Sequence, residues 1–144
     1  MLVSEILRIK GTALFTTPPD APVLDAVKVM AQHDIGSLVV MDHGKMAGIV
    51  TFAEVLRALA DREGTVGALK ISEIADRSPI TALPSIDVME LRRIMLDRHA
   101  RYVPVMDGTT LLGVVSFHDV AKAVLEEQTL ENQALKSYIS DSLA

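Results

Sequence analysis

Slid by 65 positions, the chain falls on itself, and residues 6–62 match residues 71–127 without a gap. Ile6 meets Ile71, Pro19 meets Pro84 and Met30 meets Met95. Val40-Met41-Asp42 meets Val105-Met106-Asp107, and Gly48, Val50 and Phe52 meet Gly113, Val115 and Phe117. A period this long is no solenoid unit; each copy is a small domain or half-domain. A copy of about 60 residues would bury only a marginal core by itself. The two are therefore expected to fold as one unit about a pseudo-twofold axis, with equivalent residues facing each other around shared clefts, where ligands tend to bind.

Within each copy the pattern repeats. A short helical stretch (residues 3–10 and 71–76) leads to a short extended segment (14–16 and 80–82). Prolines follow at Pro18, Pro19 and Pro22, and at Pro84, where they suit a helix start. Val23, Ala26, Val27, Met30 and Ala31 then form one apolar helical stripe, mirrored by Val88, Leu91, Met95 and Leu96. Gly36 is expected to end the first of these helices in a left-handed conformation. Two strands follow, at 38–41 and 46–50 in the first copy and at 103–106 and 111–115 in the second. Their turns are Asp42-His43-Gly44-Lys45 and Asp107-Gly108-Thr109-Thr110, and Asp-Gly between apolar runs is a hairpin signal. The continuous apolar runs suit strands covered on both faces. A closing helix runs over 52–62 in the first copy and from 117 to about 140 in the second. The expected fold is α/β: two tandem β-α-β-β-α repeats packed as one pseudo-twofold module, with an extended C-terminal helix. The expected division is 1–64, 65–125 and a helical tail at 126–144.

Composition removes several function classes. Apolar residues make up 49% of the chain, but no run approaches the roughly 18 residues of a membrane span. The first residues carry Glu5, Arg8 and Lys10, unlike a signal peptide. There is no cysteine, which rules out disulfides, thiol catalysis and thiolate metal sites. A cytoplasmic protein, not membrane-bound, is the expectation. The net charge is −5, aromatic residues are 3% and there is no Trp. Nucleic-acid binders show a basic surplus or stacking aromatics; neither is present, which argues against nucleic acid as a direct partner. His33, His43, His99 and His118 lack metal-ligand spacing. Ser116, His118 and Asp119 are near-consecutive at a helix start and cannot form the ordered relay of a hydrolase. No catalytic or metal site is expected.

The pattern that carries chemistry is Gly-φ-φ-[Ser/Thr]-Phe-x-[Asp/Glu], with φ aliphatic. It occurs as Gly48-Ile49-Val50-Thr51-Phe52-Ala53-Glu54 and as Gly113-Val114-Val115-Ser116-Phe117-His118-Asp119. A hydroxyl followed three residues later by a carboxylate is a capping box, which satisfies orphan helix N–H groups without any ligand. The same geometry suits a nucleotide, since free N–H groups at a helix start attract phosphate and a carboxylate one turn in can accept ribose hydroxyls.

Taken in register in both copies, this motif, the β-α-β-β-α order and the Val-Pro-Val-Met-Asp run at 103–107 resemble a pair of CBS domains, over residues 1 to about 125. The resemblance implies two clefts between paired sheets that hold adenosine compounds: AMP, ADP, ATP, NAD(H) or S-adenosylmethionine. Carried onto this chain, Asp119 would hold the ribose, Ser116 would approach phosphate, and Arg101 and Tyr102 would line the same cleft with Gly36, Ser37 and the segment holding Thr12 and Thr16. The second cleft would use Thr51 and Glu54, with Ile80 at the matching strand. Glu54 departs from the family's Asp, and Gly36 stands where the other copy has Arg101, so the Asp119 cleft ranks first and the second is expected to lack a matching cation. Two functions follow: a non-enzymatic adenine-nucleotide sensor that signals to a protein partner, or a ligand-independent interaction module whose motifs are only caps. The tail resumes an apolar stripe at Leu130, Ala134, Leu135, Tyr138 and Ile139. It is expected to fold over the module or meet a second subunit, and the resemblance implies a homodimer.

Overall fold

In a computed structural model, residues 1–11 and 14–143 of the chain are described. The elements are α1 (Val3–Lys10), β1 (Thr16–Thr17), α2 (Val23–His33), β2 (Ser37–Asp42), β3 (Lys45–Thr51), α3 (Phe52–Asp61), α4 (Ile71–Ile74), α5 (Val88–Arg98), β4 (Tyr102–Asp107), β5 (Thr110–Ser116) and α6 (Phe117–Leu143). The mixed α/β order and the long C-terminal helix are as expected.

The two hairpins share one register. Val39 faces Ile49 and Pro104 faces Val114, with a shift after Val40 and, 65 residues on, after Val105. Both turns reverse through left-handed residues: His43 and Gly44 in the first, Gly108 in the second, as tight hairpins require. β1 runs parallel to β2, with Thr17 opposite Val40. Its counterpart is a single parallel bridge, Ala82 to Val105. The central strands do not alternate between inside and outside: Leu38, Val39 and Val40 are all buried, as are Val103, Pro104 and Val105. Both are therefore covered on both faces.

Each half has its own core, but neither is built from its own copy alone. Val3 and Ile6 of α1 join Val88, Leu91, Met95, Val103, Val105, Val115 and Val120. Leu69 and Ile71 join Val23, Ala26, Met30, Leu38, Val40 and Val50. The helix that opens each copy thus packs into the other half. Val3 and Ile71 are fully buried, and burying one such side chain is worth about 1.5–3 kcal/mol.

Backbone hydrogen bonds fix the exchange. The Val3 and Ser4 N–H groups donate to Ile86 and Pro84 carbonyls (3.0 and 2.9 Å), and Val88 N–H donates to the Met1 carbonyl (2.9 Å). Across the pseudo-axis, Ile71 and Ser72 donate to Ala21 and Pro19 (2.9 and 2.8 Å), and Val23 donates to Leu69 (2.8 Å). The partners at 19, 21 and 23 are 65 positions from 84, 86 and 88. Those at 1, 3 and 4 are 68 positions from 69, 71 and 72. The gap-free match therefore fails at its start: Val3, not Ile6, is the counterpart of Ile71. The first copy has three more residues between the start of its opening helix and its first strand, from Val3 to Thr17 against Ile71 to Ala82. Glu5 and Glu73 confirm the register, since each accepts from the backbone N–H three residues before it, Leu2 (2.6 Å) and Lys70 (2.7 Å).

A second expectation is also corrected. The left-handed residue after α2 is Asp34 (φ 51°), and after α5 it is His99 (φ 52°). Gly36 lies beyond the cap, and its glycine character has a different cause. A Cβ there would overlap the Tyr102 hydroxyl and crowd the Phe52 ring. The tail does not fold over the module: residues 128–142 of α6 are exposed throughout, a free stretch of about 22 Å at 1.5 Å per residue.

Candidate functional site

Two clefts lie between the halves. The first, about 580 Å³, is lined by Leu14, Phe15, Asp34, Ile35, Gly36 and Ser37 from one side and by Lys10 of α1, which is packed into the other half. From the other come Arg101, Tyr102, Val114, Ser116, Phe117 and His118. The second, about 710 Å³, is lined by Ile49, Thr51, Phe52, Glu54 and Arg57 on one side. Asp76, bridged to Ile49 by two backbone hydrogen bonds, and Ser78, Ile80, Leu96, Arg98, His99, Arg101 and Tyr102 complete the lining. Both volumes fall in the range of small-molecule sites.

The clefts are copies of each other. Shifting the first by 65 turns Phe15 into Ile80, Asp34 into His99, Gly36 into Arg101 and Ser37 into Tyr102; in the reverse direction Ser116 becomes Thr51 and Phe117 becomes Phe52. Among the described residues, no lysine lines the second cleft. Arg101, Tyr102 and Phe117 line both, so these residues stand at the shared wall.

At the mouth of the Ser116 cleft, β5 hands over to α6 through a reciprocal cap. The Asp119 N–H donates to Ser116 Oγ (3.0 Å), and the Ser116 N–H donates to Asp119 Oδ2 (2.9 Å). The Lys10 ammonium reaches across from α1 to the same Oδ2 at 2.7 Å and also donates to the Val114 carbonyl at 2.9 Å. Burial alone would raise the Asp119 carboxyl. The Lys10 and Ser116 donors outweigh it and hold the group below its ordinary value. Nearby, burial raises the Tyr102 phenol, with Arg101 opposing and Asp119 adding to the rise.

At the mouth of the Thr51 cleft the cap closes on itself. Glu54 Oε1 accepts both the Thr51 N–H (2.8 Å) and the Thr51 hydroxyl (2.9 Å), while Thr51 Oγ1 accepts the Ala53 N–H (3.2 Å). Arg57 stands 3.6 Å from Glu54 Oε2. The longer glutamate thus folds back onto its own cap, and no lysine crosses to it among the described residues. The expectation that this cleft lacks a cation matching Arg101 is corrected: Arg101 itself lines it, with Arg57 and Arg98. The substitution of Arg101 by Gly36 does not empty the cleft of charge, because Arg101 serves both sides and α3 and α5 supply the rest.

Of the residues singled out from the sequence, Gly36, Ser37, Arg101, Tyr102 and Ser116 are brought together around the first cleft. Asp119 is at its rim, bonded to Ser116 and Lys10. Thr51, Glu54 and Ile80 come together in the second. Thr16 lies on β1, away from both linings, and Thr12 falls outside the described residues. The sequence reading missed Lys10, whose partner is 109 positions away, and Arg57, and it took Arg98 for a solvated helix end where the structure places it in the second lining. Among the described residues, no helix is long and apolar enough to cross a membrane.

Comparison with known proteins adds to this geometry. The chain is 33% identical to the mitochondrial CBS domain-containing protein CBSX3 of Arabidopsis thaliana, over 95% of this chain and 71% of that one. A crystal structure of the CBS-domain containing protein ATU1752 from Agrobacterium tumefaciens superposes with a TM-score of 0.81 at 28% identity, covering 85% of this chain and 98% of the other. The CBS domain pair of protein MJ0100, solved with 5′-methylthioadenosine and S-adenosylmethionine, superposes with a TM-score of 0.76 at 28% identity, covering 88% and 98%. The sequence model of the CBS domain matches twice, at residues 3–61 and 71–126. With one match on each copy and the fold of solved CBS pairs, the chain belongs to the CBS domain family and is a CBS-domain pair.

Proposed function

We propose that this CBS pair is a non-enzymatic regulatory module that takes up an adenosine compound between its halves and relays its occupancy to a protein partner. The carrying observation is the duplicated cleft, in which a strand ends in a hydroxyl–carboxylate cap at a helix start and faces the cation and ring of Arg101 and Tyr102. Free N–H groups and partial positive charge at such a helix start suit phosphate. The capped carboxylate is the acceptor for ribose hydroxyls. A relative with the same fold is solved with two adenosine compounds, which supports the ligand class. AMP, ADP, ATP and NAD(H) are the proposed ligands, with S-adenosylmethionine as the further candidate. Calorimetric titration with AMP, ATP, NAD and S-adenosylmethionine is the test: at least one should bind, and folded protein that binds none of the four sinks the reading. Asp119→Ala should then weaken binding in the Ser116 cleft by on the order of 1–3 kcal/mol.

A second reading has its own observation. Both caps are already closed by intramolecular hydrogen bonds, and large apolar residues stand exposed on α2, α5 and α6, among them Leu24, Met89, Leu96, Leu130 and Tyr138. In this reading the module is a ligand-independent interaction unit. We infer a homodimer under either one, because apolar side chains exposed in such number suit burial against a second copy. Light scattering after size-exclusion chromatography reads the mass directly, and a monomer at micromolar concentration would rule the homodimer out.

A further inference from the structure

We propose that Lys10 makes the Ser116 cleft selective for adenosine 5′-phosphates over adenosine compounds that lack a phosphate, an assignment that rests on the adenosine reading of that cleft. The Lys10 ammonium lines the cavity and is committed at two points, to Asp119 Oδ2 at 2.7 Å and to the Val114 carbonyl at 2.9 Å. Asp119 Oδ2 already accepts the Ser116 N–H. A ribose diol arriving at this carboxylate competes with an ammonium, and a neutral hydroxyl is the weaker donor, since charge-assisted bonds are roughly twice as strong as neutral ones.

A ligand without negative charge therefore weakens the ion pair and gives Lys10 nothing in return. The same cavity is lined by Leu14, Phe15, Ile35, Val114 and Phe117, none of which offers an anion, so a displaced ammonium, whose side chain is 41% exposed, exchanges a charge-assisted bond for water. A phosphate on the same ligand supplies the missing anion, and Arg101 lines the same cavity to share it. A sulfonium ligand meets two like charges instead. The Thr51 cleft is built differently: among the described residues no lysine lines it, and Glu54 binds its own cap through Oε1 with Arg57 3.6 Å from Oε2 on the same helix.

The test compares AMP with 5′-methylthioadenosine, which share adenine and ribose and differ at the 5′ substituent. Amide chemical shifts are followed at Ser116 for one cleft and at Thr51 for the other. In the wild type, AMP should bind at the Ser116 cleft about tenfold or more tightly than methylthioadenosine, as one charge-assisted bond implies. Lys10→Met should cut that ratio severalfold, the remainder resting on Arg101, leave the Thr51 response unchanged, and be rescued by Lys10→Arg. Equal affinities in the wild type, or an undiminished ratio in Lys10→Met, overturn the role of Lys10 while leaving the adenosine reading intact. No response of either amide to either compound overturns both.

Discussion

The Ser116 and Thr51 clefts come from one template and part company at the carboxylate. In the first, a short aspartate leaves its carboxylate within reach of a cation from another element, and Lys10 takes it. In the second, one more methylene lets Glu54 curl back and accept both the amide and the hydroxyl of Thr51. The first cap is tied across the molecule and the second is tied to itself. Duplication preserved the scaffold and the hydrogen-bonding chemistry of the helix start. What diverged is whether that chemistry is tied to the opening helix that crosses over from the other copy.

The largest test of this asymmetry is steric. Gly36→Ala forces a Cβ into the Tyr102 hydroxyl and should lower unfolding free energy by about 1–3 kcal/mol, as overpacking does. Arg101→Ala, at the exposed equivalent position, should stay within about 0.5 kcal/mol. Equal costs in denaturant titrations would erase the steric distinction between the halves.

The caps come next. Thr51→Ala and Ser116→Ala should each cost roughly 1 kcal/mol, with Thr51 the costlier because its hydroxyl both accepts from Ala53 and donates to Glu54. A larger loss at Ser116 would reverse the assignment of the self-closed cap.

The cross-molecular tie has a pH signature. The folded-state carboxyl of Asp119 is held below its ordinary value, 3.8. Its stabilisation is therefore fully present above that value and is lost as pH falls through the lower, folded-state titration. Asp119→Asn should cost under about 1 kcal/mol near neutrality, and its difference from the wild type should shrink in acid. A gap that stays constant or widens on acidification contradicts the tie. Smallest of all is the coupling itself: a double-mutant cycle of Lys10→Met with Asp119→Asn should give a few tenths of a kcal/mol, up to about 1, because the lysine is partly exposed.

Much of this is legible in the chain. Both hairpins fall where the apolar runs and their turn residues put them, extended by a residue at each end. The hydroxyl–carboxylate motif reads directly as a cap, and the cap is there. The opening helices are harder for a physical reason. Ile6 and Ile9 are three apart, as are Ile71 and Ile74, so a slip of three residues keeps apolar positions in register on a helix. Only the Ser-Glu-Ile tripeptide at 4–6 and 72–74 hints at the true offset, and the hydrogen bonds to Pro84 and Pro19 decide it. Lys10 is hidden for the same cause: its pairing with Asp119 exists only because α1 crosses to the other half. Gly36 reads as a helix terminator because glycines often are; its constraint comes from a tyrosine 66 positions on, which no local pattern reveals.

The exchange of α1 and α4 has a consequence for how the chain could be divided. A fragment ending at residue 64 would carry the α1 that its sister needs and lack the α4 that it needs itself. The complementary fragment would be in the mirror-image position. Neither would close its own interior, yet together they hold every piece of both. The linker between the copies thus acts as a tether that keeps two mutually dependent parts at high effective concentration, and such a protein, cut there, is a natural split pair whose reassembly requires both partners at once.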